Sequence, residues 1–224
     1  MAGGALVTGG SSGIGLAIAR MLRGLGYDVT LAARTQERLE AAARELGAHA
    51  VPTNVADAAE CERVVAEHRE RFGRLDVLVN CAGVGIGRAL ADLQTKHWDL
   101  QFAVNVRGAF VVTRAAIPLL RETRGLIVNV SSIAGTSEAP GLAAYGASKA
   151  ALISLTRSLN AELKADGIRA CALCPGFVDT PMASWTGMKS EEMIQPDDCA
   201  EVVRMLLTLS PRARIPQIVI ERLS

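Results

Sequence analysis

The stretch Ala5–Leu25, ALVTGGSSGIGLAIARMLRGL, passes from a short apolar run through a loop with four glycines into a segment with helical spacing. Ala5–Thr8 reads as a strand and Gly13–Leu25 as the helix that follows it. Between them lies Thr8-Gly9-Gly10-Ser11-Ser12-Gly13-Ile14-Gly15, spaced G-x-x-x-G-x-G. A glycine loop in this context is a dinucleotide-binding fingerprint. Gly9 permits a sharp turn, Gly13 lets backbone approach a pyrophosphate, and Gly15 lets the helix pack closely. Ser11, Ser12 and Ile14 supply main-chain N–H groups at the helix start, where the helix dipole favours negative charge.

Outward from this unit, strand and helix signals alternate to the end. Strands are expected at 28–33, 48–53, 75–80, 126–130, 168–173 and 215–220. Helical segments are expected at 36–46, 58–72, across 93–121, at 143–165 and at 197–209. Such alternation implies parallel strands joined by helical crossovers. Runs such as LDVLVN and GLIVNV are near-continuously apolar, as befits strands covered on both faces. The expectation is a single α/β domain over 1–224: a Rossmann-like, doubly wound parallel sheet of about seven strands in three α/β/α layers. No linker, repeat or low-complexity segment interrupts it.

Composition narrows the partners. The formal charge is +1 and half of the 224 residues are hydrophobic. A near-neutral chain lacks the basic concentration that nucleic acid or an anionic membrane demands. No apolar run approaches a spanning helix and no leader pattern precedes the glycine loop. The five cysteines are odd in number and scattered. Cys171 and Cys174, three apart on a strand, point to opposite faces and read as core thiols. His49, His68 and His97 form no metal-spaced group. These features fit a reducing cytoplasm and no metal.

The second strand ends Ala33-Arg34-Thr35, where NAD sites usually place an acid that accepts from the ribose 2′-OH. Here no acid stands. Arg34 offers charge-assisted bonds to a 2′-phosphate, so NADP(H) is expected rather than NAD(H).

Two further motifs complete the pattern. VNVSSIAG carries Ser131 and Ser132, and AAYGASKAAL carries Tyr145 and Lys149, with Tyr145 thirteen residues after Ser132. Tyr145 and Lys149 share a helix face. With Asn105 in FAVNVRGAF and Pro175-Gly176 later, the chain resembles the short-chain dehydrogenase/reductase family, plain single-domain branch, from about Ala5 to Ile220. The resemblance implies an oxidoreductase moving a hydride between NADP(H) and a carbonyl or secondary alcohol. Tyr145 would be the acid/base, Lys149 would favour its phenolate and bond the nicotinamide ribose, and Ser132 would orient the substrate oxygen. Asn105 would hold a water in a proton relay. Asn54 and Val55 would flank the adenine. Asn80, Ala82 and Gly83 would support the ribose side, with Cys81 departing from the usual asparagine. Pro175, Gly176, Val178 and Thr180 would line the nicotinamide. A free phenol titrates near 10, so a nearby ammonium is chemically useful to a tyrosine base.

Residues 182–196 stand where the family carries its substrate lid, and this one is short. Phe177 and Trp185, with Val84, Ile86 and Met188, are the expected pocket lining, for a small or medium carbonyl with an apolar body. A homotetramer or homodimer is expected from the resemblance. Alternative activities are a 3-oxoacyl thioester reductase and an NADP(H)-binding redox sensor or scaffold without turnover.

Overall fold

The computed structural model describes residues 3–223. Strands β1 (Gly4–Thr8), β2 (Asp28–Ala33), β3 (His49–Pro52), β4 (Val77–Asn80), β5 (Leu126–Val130), β6 (Arg169–Pro175) and β7 (Gln217–Ile220) join one sheet. Their spatial order is β3-β2-β1-β4-β5-β6-β7, and each neighbouring pair is parallel. The order reverses between β1 and β4, which opens a crevice beyond their carboxyl ends.

Helices cover both faces. α1 (Gly13–Gly24), α2 (Gln36–Leu46) and α7 (Pro196–Thr208) bury Ile18, Leu22, Leu39, Cys199 and Val203 against one face. On the other, α3 (Ala58–Phe72), α4 (Thr95–Phe102), α5 (Ala109–Thr123) and α6 (Ala143–Glu162) enclose a second cluster that includes Val64, Val112, Leu120 and Leu159. Nearly every residue of β1, β2, β4, β5 and β6 is buried, so their apolar runs need no alternation, whereas the edge strand β3 buries only Val51. Cys171 belongs to the first cluster and Cys174 lies apart from it, as their opposite orientations require. Burial pushes the thiols of Cys171 and Cys199 up to about 12 and that of Cys61 to about 11, so all three stay protonated and inert. Among the described residues no cluster suits a metal ion.

Two expectations need correction. Residues 93–121 are not one plain helix: α4 and α5 are joined by a π-helical stretch, Ala103–Gly108, giving a continuous helix over Thr95–Thr123. Nor is the chain without an apolar stretch of spanning length, since by length and composition that helix is apolar enough to cross a membrane. Val104, Val111, Val112, Ala116, Leu119 and Leu120 lie buried along it, so much of this apolarity belongs to the inner core.

Candidate active site

Where the sheet order reverses, Thr8 ties two strand ends together. Its Oγ1 donates to Val79 O at 3.4 Å and accepts from the N–H groups of Cys81 (3.1 Å) and Ala82 (3.2 Å). The chain then turns at Gly9, with φ +68°, where a Cβ would meet Ala82 N at 2.8 Å. Only glycine fits a left-handed backbone pressed this closely to a neighbouring strand. At Gly15 a Cβ would strike the Gly9 carbonyl, so α1 docks tightly under its own loop.

A cleft of about 1110 Å³ runs from this loop along the carboxyl edge of the sheet. Gly9, Ser11, Ser12, Gly13, Ile14, Arg34, Thr35 and Val55 line the end beside the glycine loop. Ala82, Gly83, Pro175, Gly176, Val178 and Thr180 line the middle, and Ser132, Tyr145, Phe177 and Trp185 the far end. Gly15, Asn54, Asn80 and Asn105 are not in its walls. Gly15 acts through packing. Asn54 is exposed and spends its side-chain oxygen on Ala56 N (3.2 Å). Asn80 is buried. Its Nδ2 donates to Thr113 Oγ1 at 2.9 Å and to Asn129 Oδ1 at 2.8 Å, and Asn129 donates onward to Thr156 at 2.8 Å. That ladder ties β4 and β5 to α5 and α6, so Asn80 holds the cleft floor from behind.

The catalytic candidates converge from three elements. Tyr145 and Lys149 stand one turn apart on α6, with the lysine Nζ 5.5 Å from the phenol ring centroid. Lys149 is only 4% exposed, and its ammonium donates to Val130 O at 2.8 Å. Two donors remain to face the cleft. Ser131 and Ser132 separate cleanly. The Ser131 hydroxyl donates to Lys149 O at 2.8 Å, whereas Ser132 Oγ accepts from Ala134 N at 3.2 Å and keeps its own proton free. The Tyr145 hydroxyl makes no hydrogen bond among the described residues.

Asn105 lies within the π-helical stretch, a conformation frequent at functional sites. Its Oδ1 accepts from Val84 N at 2.8 Å, while Nδ2 donates to Val84 O and Ser148 Oγ, both at 2.9 Å. Both amide hydrogens are thereby used. Asn105 pins the loop after β4, and it flanks Gly83 together with the Lys149 ammonium.

Several lining residues are not apparent from sequence. Arg38, on the first turn of α2, joins Arg34 at the end beside the glycine loop, and Arg88 stands at the far end with Leu142 and Met182. Ile86 and Met188, expected in the pocket, do not line it, while Val84 does. Phe177 and Trp185 pack edge to face at 6.3 Å. The segment 182–196 is fastened at its far end, where Ile194 N donates to Phe177 O (3.0 Å) and Asp179 N to Ile194 O (2.9 Å).

The chain matches the short chain dehydrogenase family model over residues 4–190. It belongs to that family. It is 33% identical over 220 residues to an uncharacterized oxidoreductase of Staphylococcus aureus strain USA300, covering 96% of this chain and 95% of that protein. It superposes on an alcohol dehydrogenase from the archaeon Thermococcus sibiricus, complexed with 5-hydroxy-NADP, with a TM-score of 0.92. Identity there is 33%, and 99% and 97% of the two chains are covered. A 3-ketoacyl-(acyl-carrier-protein) reductase from Brucella melitensis complexed with NADH gives a TM-score of 0.90 at 29% identity, covering 98% and 96%. This short-chain dehydrogenase is therefore an oxidoreductase by family, and its glycine cradle suits a nicotinamide dinucleotide.

Proposed function

We propose that this short-chain dehydrogenase is an NADP(H)-dependent reductase of aldehydes or ketones, working equally as a secondary alcohol dehydrogenase in reverse, with Tyr145 as acid/base. The observation that carries the reading is that one cleft is lined by two hydroxyls whose protons are uncommitted, those of Tyr145 and Ser132, and by a buried ammonium. A reduced nicotinamide, when bound, supplies the hydride. Ser132 donates to the carbonyl oxygen and fixes its position. Tyr145 gives its proton to the oxygen as negative charge develops there. The Lys149 ammonium stabilises the phenolate left behind, and its bond to Val130 O keeps it in place. Asn105 holds the loop that backs this arrangement. A chain that only sensed or scaffolded the nucleotide has no chemical use for these uncommitted protons.

NADP(H) is favoured because Arg34 and Arg38 border the adenine end and no Asp or Glu lines the cleft. Phe177, Trp185, Met182 and Leu142 favour a substrate with an apolar body. The similarity to a 3-ketoacyl-(acyl-carrier-protein) reductase keeps 3-oxoacyl thioesters as the second reading. A homodimer or homotetramer is supported by Trp98, Leu100 and Phe110, each 39–43% exposed on the long helix; a monomeric mass in solution would count against it.

The direct test is NADPH oxidation against aldehydes, ketones, quinones and short 3-oxoacyl thioesters. Turnover of simple ketones supports the main reading, and turnover of thioesters alone supports the second. NADPH binding with no turnover of any of them would leave only a nucleotide sensor.

A further inference from the structure

The charges in the cleft are of one sign. Arg34, Arg38, Arg88 and Lys149 line it, and no Asp or Glu does. Three of these cations have evident duties under the reading above. Lys149 sits beside Tyr145, while Arg34 and Arg38 flank the adenine end. Arg88 has none.

Arg88 lies on the loop after β4, at the end of the cleft that also holds Leu142, Met182 and Trp185. Its backbone is fixed: Arg88 N donates to Gly141 O at 2.8 Å, joining this loop to the one that precedes α6. The neighbouring Gly87 packs so closely that a Cβ would meet Leu142 Cδ2 at 3.3 Å. The guanidinium, by contrast, makes no salt bridge or side-chain hydrogen bond among the described residues. Eight of the nineteen other arginines, Arg20, Arg23, Arg44, Arg63, Arg74, Arg114, Arg121 and Arg204, meet a carboxylate, and Arg107, Arg157, Arg169 and Arg214 donate to carbonyl or amide oxygens. Asp92 and Glu138, the acids of the flanking segments, form no salt bridge with Arg88 either.

We infer that Arg88 receives the carboxylate of the substrate, so that the preferred carbonyl compound is an oxo acid whose apolar chain lies against Leu142, Met182 and Trp185. This inference rests on the reductase reading above and names the substrate class for the same site. A guanidinium is a planar fork that matches a carboxylate with two parallel bonds, and its single charge balances that of one carboxylate. A cleft lined by cations and free of acids also concentrates anions at its mouth. Sequence patterning offers no hint of an anionic substrate, because Lys189 is the lone cation of the lid. The structure pairs Lys189 with Glu191 at 3.9 Å and puts Arg88 in the cleft instead.

The test uses oxo acids with the carbonyl one to four carbons from the carboxylate, each matched with its methyl ester. The parent enzyme should favour at least one acid over its ester in kcat/KM. Arg88→Ala should lower that acid-over-ester ratio about 10- to 100-fold, the range expected of a lost charge-assisted bond, and Arg88→Lys should restore part of it. Binding gives a readout independent of turnover: calorimetric titration of the enzyme–NADP+ complex with the corresponding hydroxy acid and hydroxy ester should show the same order and the same dependence on residue 88. Equal ratios in parent and Arg88→Ala, or esters preferred throughout, would overturn the assignment while leaving the reductase reading intact. If nothing is turned over, the reductase reading fails, and the titration still decides whether Arg88 binds carboxylates.

Discussion

Along the carboxyl edge of the sheet, Arg34, Arg38 and Arg88 face a cleft whose walls hold no acid, while at the amino edge the charged groups before β4 have met their partners. There, Arg74 bonds both carboxylate oxygens of Asp76, at 2.9 and 2.6 Å, and Asp76 also accepts from Gly4 N at 2.7 Å. His68 bridges Thr30 Oγ1 (2.8 Å) and Arg74 O (2.9 Å). The two edges are built from the same strands. One edge closes its polar groups on one another and contributes stability. The other holds Arg34, Arg38 and Arg88 exposed, with no carboxylate partner among the described residues, so that solvent meets their guanidinium groups. Under the reductase proposal, that difference is what leaves the carboxyl edge open to ligands.

The sharpest way to break this contrast is at Tyr145. Tyr145→Phe removes one oxygen from the open edge and nothing from the core packing. It should lower kcat by about 10²–10⁴ while NADPH affinity, measured by fluorescence titration, stays close to the parent. Loss within tenfold would mean that another group supplies the proton. Ser132→Ala should also slow turnover severely, whereas Ser131→Ala removes a donor already spent on Lys149 O and should act mainly through stability.

Arg34 and Arg38 come next. Converting both to alanine should cut the preference for NADPH over NADH by about 10- to 150-fold in Kd, the range of one charge-assisted bond. Ala33→Asp with Arg34→Ala should reverse the preference with little change in the maximal rate, because the nicotinamide end is untouched. An unchanged NADPH/NADH ratio in the double alanine variant would show that both arginines only stack on the adenine.

The two edges differ in how much of them is legible in the sequence, for physical reasons. The strands and the glycine loop are legible because burial on both faces enforces apolar runs and because a positive φ at Gly9 enforces its residue type. Tyr145, Lys149 and Ser132 are legible because helical spacing and motif order fix which side chains share a face. Arg88 is not, since it follows Val84-Gly85-Ile86-Gly87, a loop with no periodicity to orient a side chain. Arg38 leaves a weak signal, one helical turn beyond Arg34, that a mixed-charge helix conceals. Asn105 stands out by its residue type and neighbours, but its use as a clamp on Val84 follows from a π-helical stretch that no local spacing announces. The pocket is the least legible. Its lining comes from three loops, those after β4, β5 and β6, so the choice of Met182 and Leu142 over Met188 and Ile86 is settled by tertiary packing.

At the closed edge, Asp76→Ala should destabilise the fold by about 1–3 kcal/mol, because it strands the Gly4 N–H and the Arg74 guanidinium together. Urea unfolding should show a lower midpoint at unchanged slope. NADPH affinity should hold, since the cleft lies at the other ends of the strands; a parallel loss of cofactor binding would show that the two edges are coupled.

The smallest expected effect is the pH dependence carried by His68. Burial lowers its pKa below the ordinary imidazole value near 6.5, against a smaller opposing effect from its bond to the Arg74 carbonyl. That carbonyl only accepts, so Nε2 carries the hydrogen and Nδ1 accepts from Thr30. The folded chain therefore binds fewer protons at this site than the unfolded chain. Its contribution to stability is complete above about pH 6.5 and declines as the pH falls toward the lowered folded value. His49, partly buried nearby, is shifted the same way by burial and by Arg71, while Asp76 and Asp28 pull His68 weakly upward. The difference between parent and His68→Gln isolates the one group, since a glutamine amide can still donate to Arg74 O. Unfolding free energies between pH 8 and pH 5 should fall more steeply for the parent than for the variant. Parallel curves would mean that His68 titrates as it does in the unfolded chain, and that the amino edge is less closed than its hydrogen bonds imply.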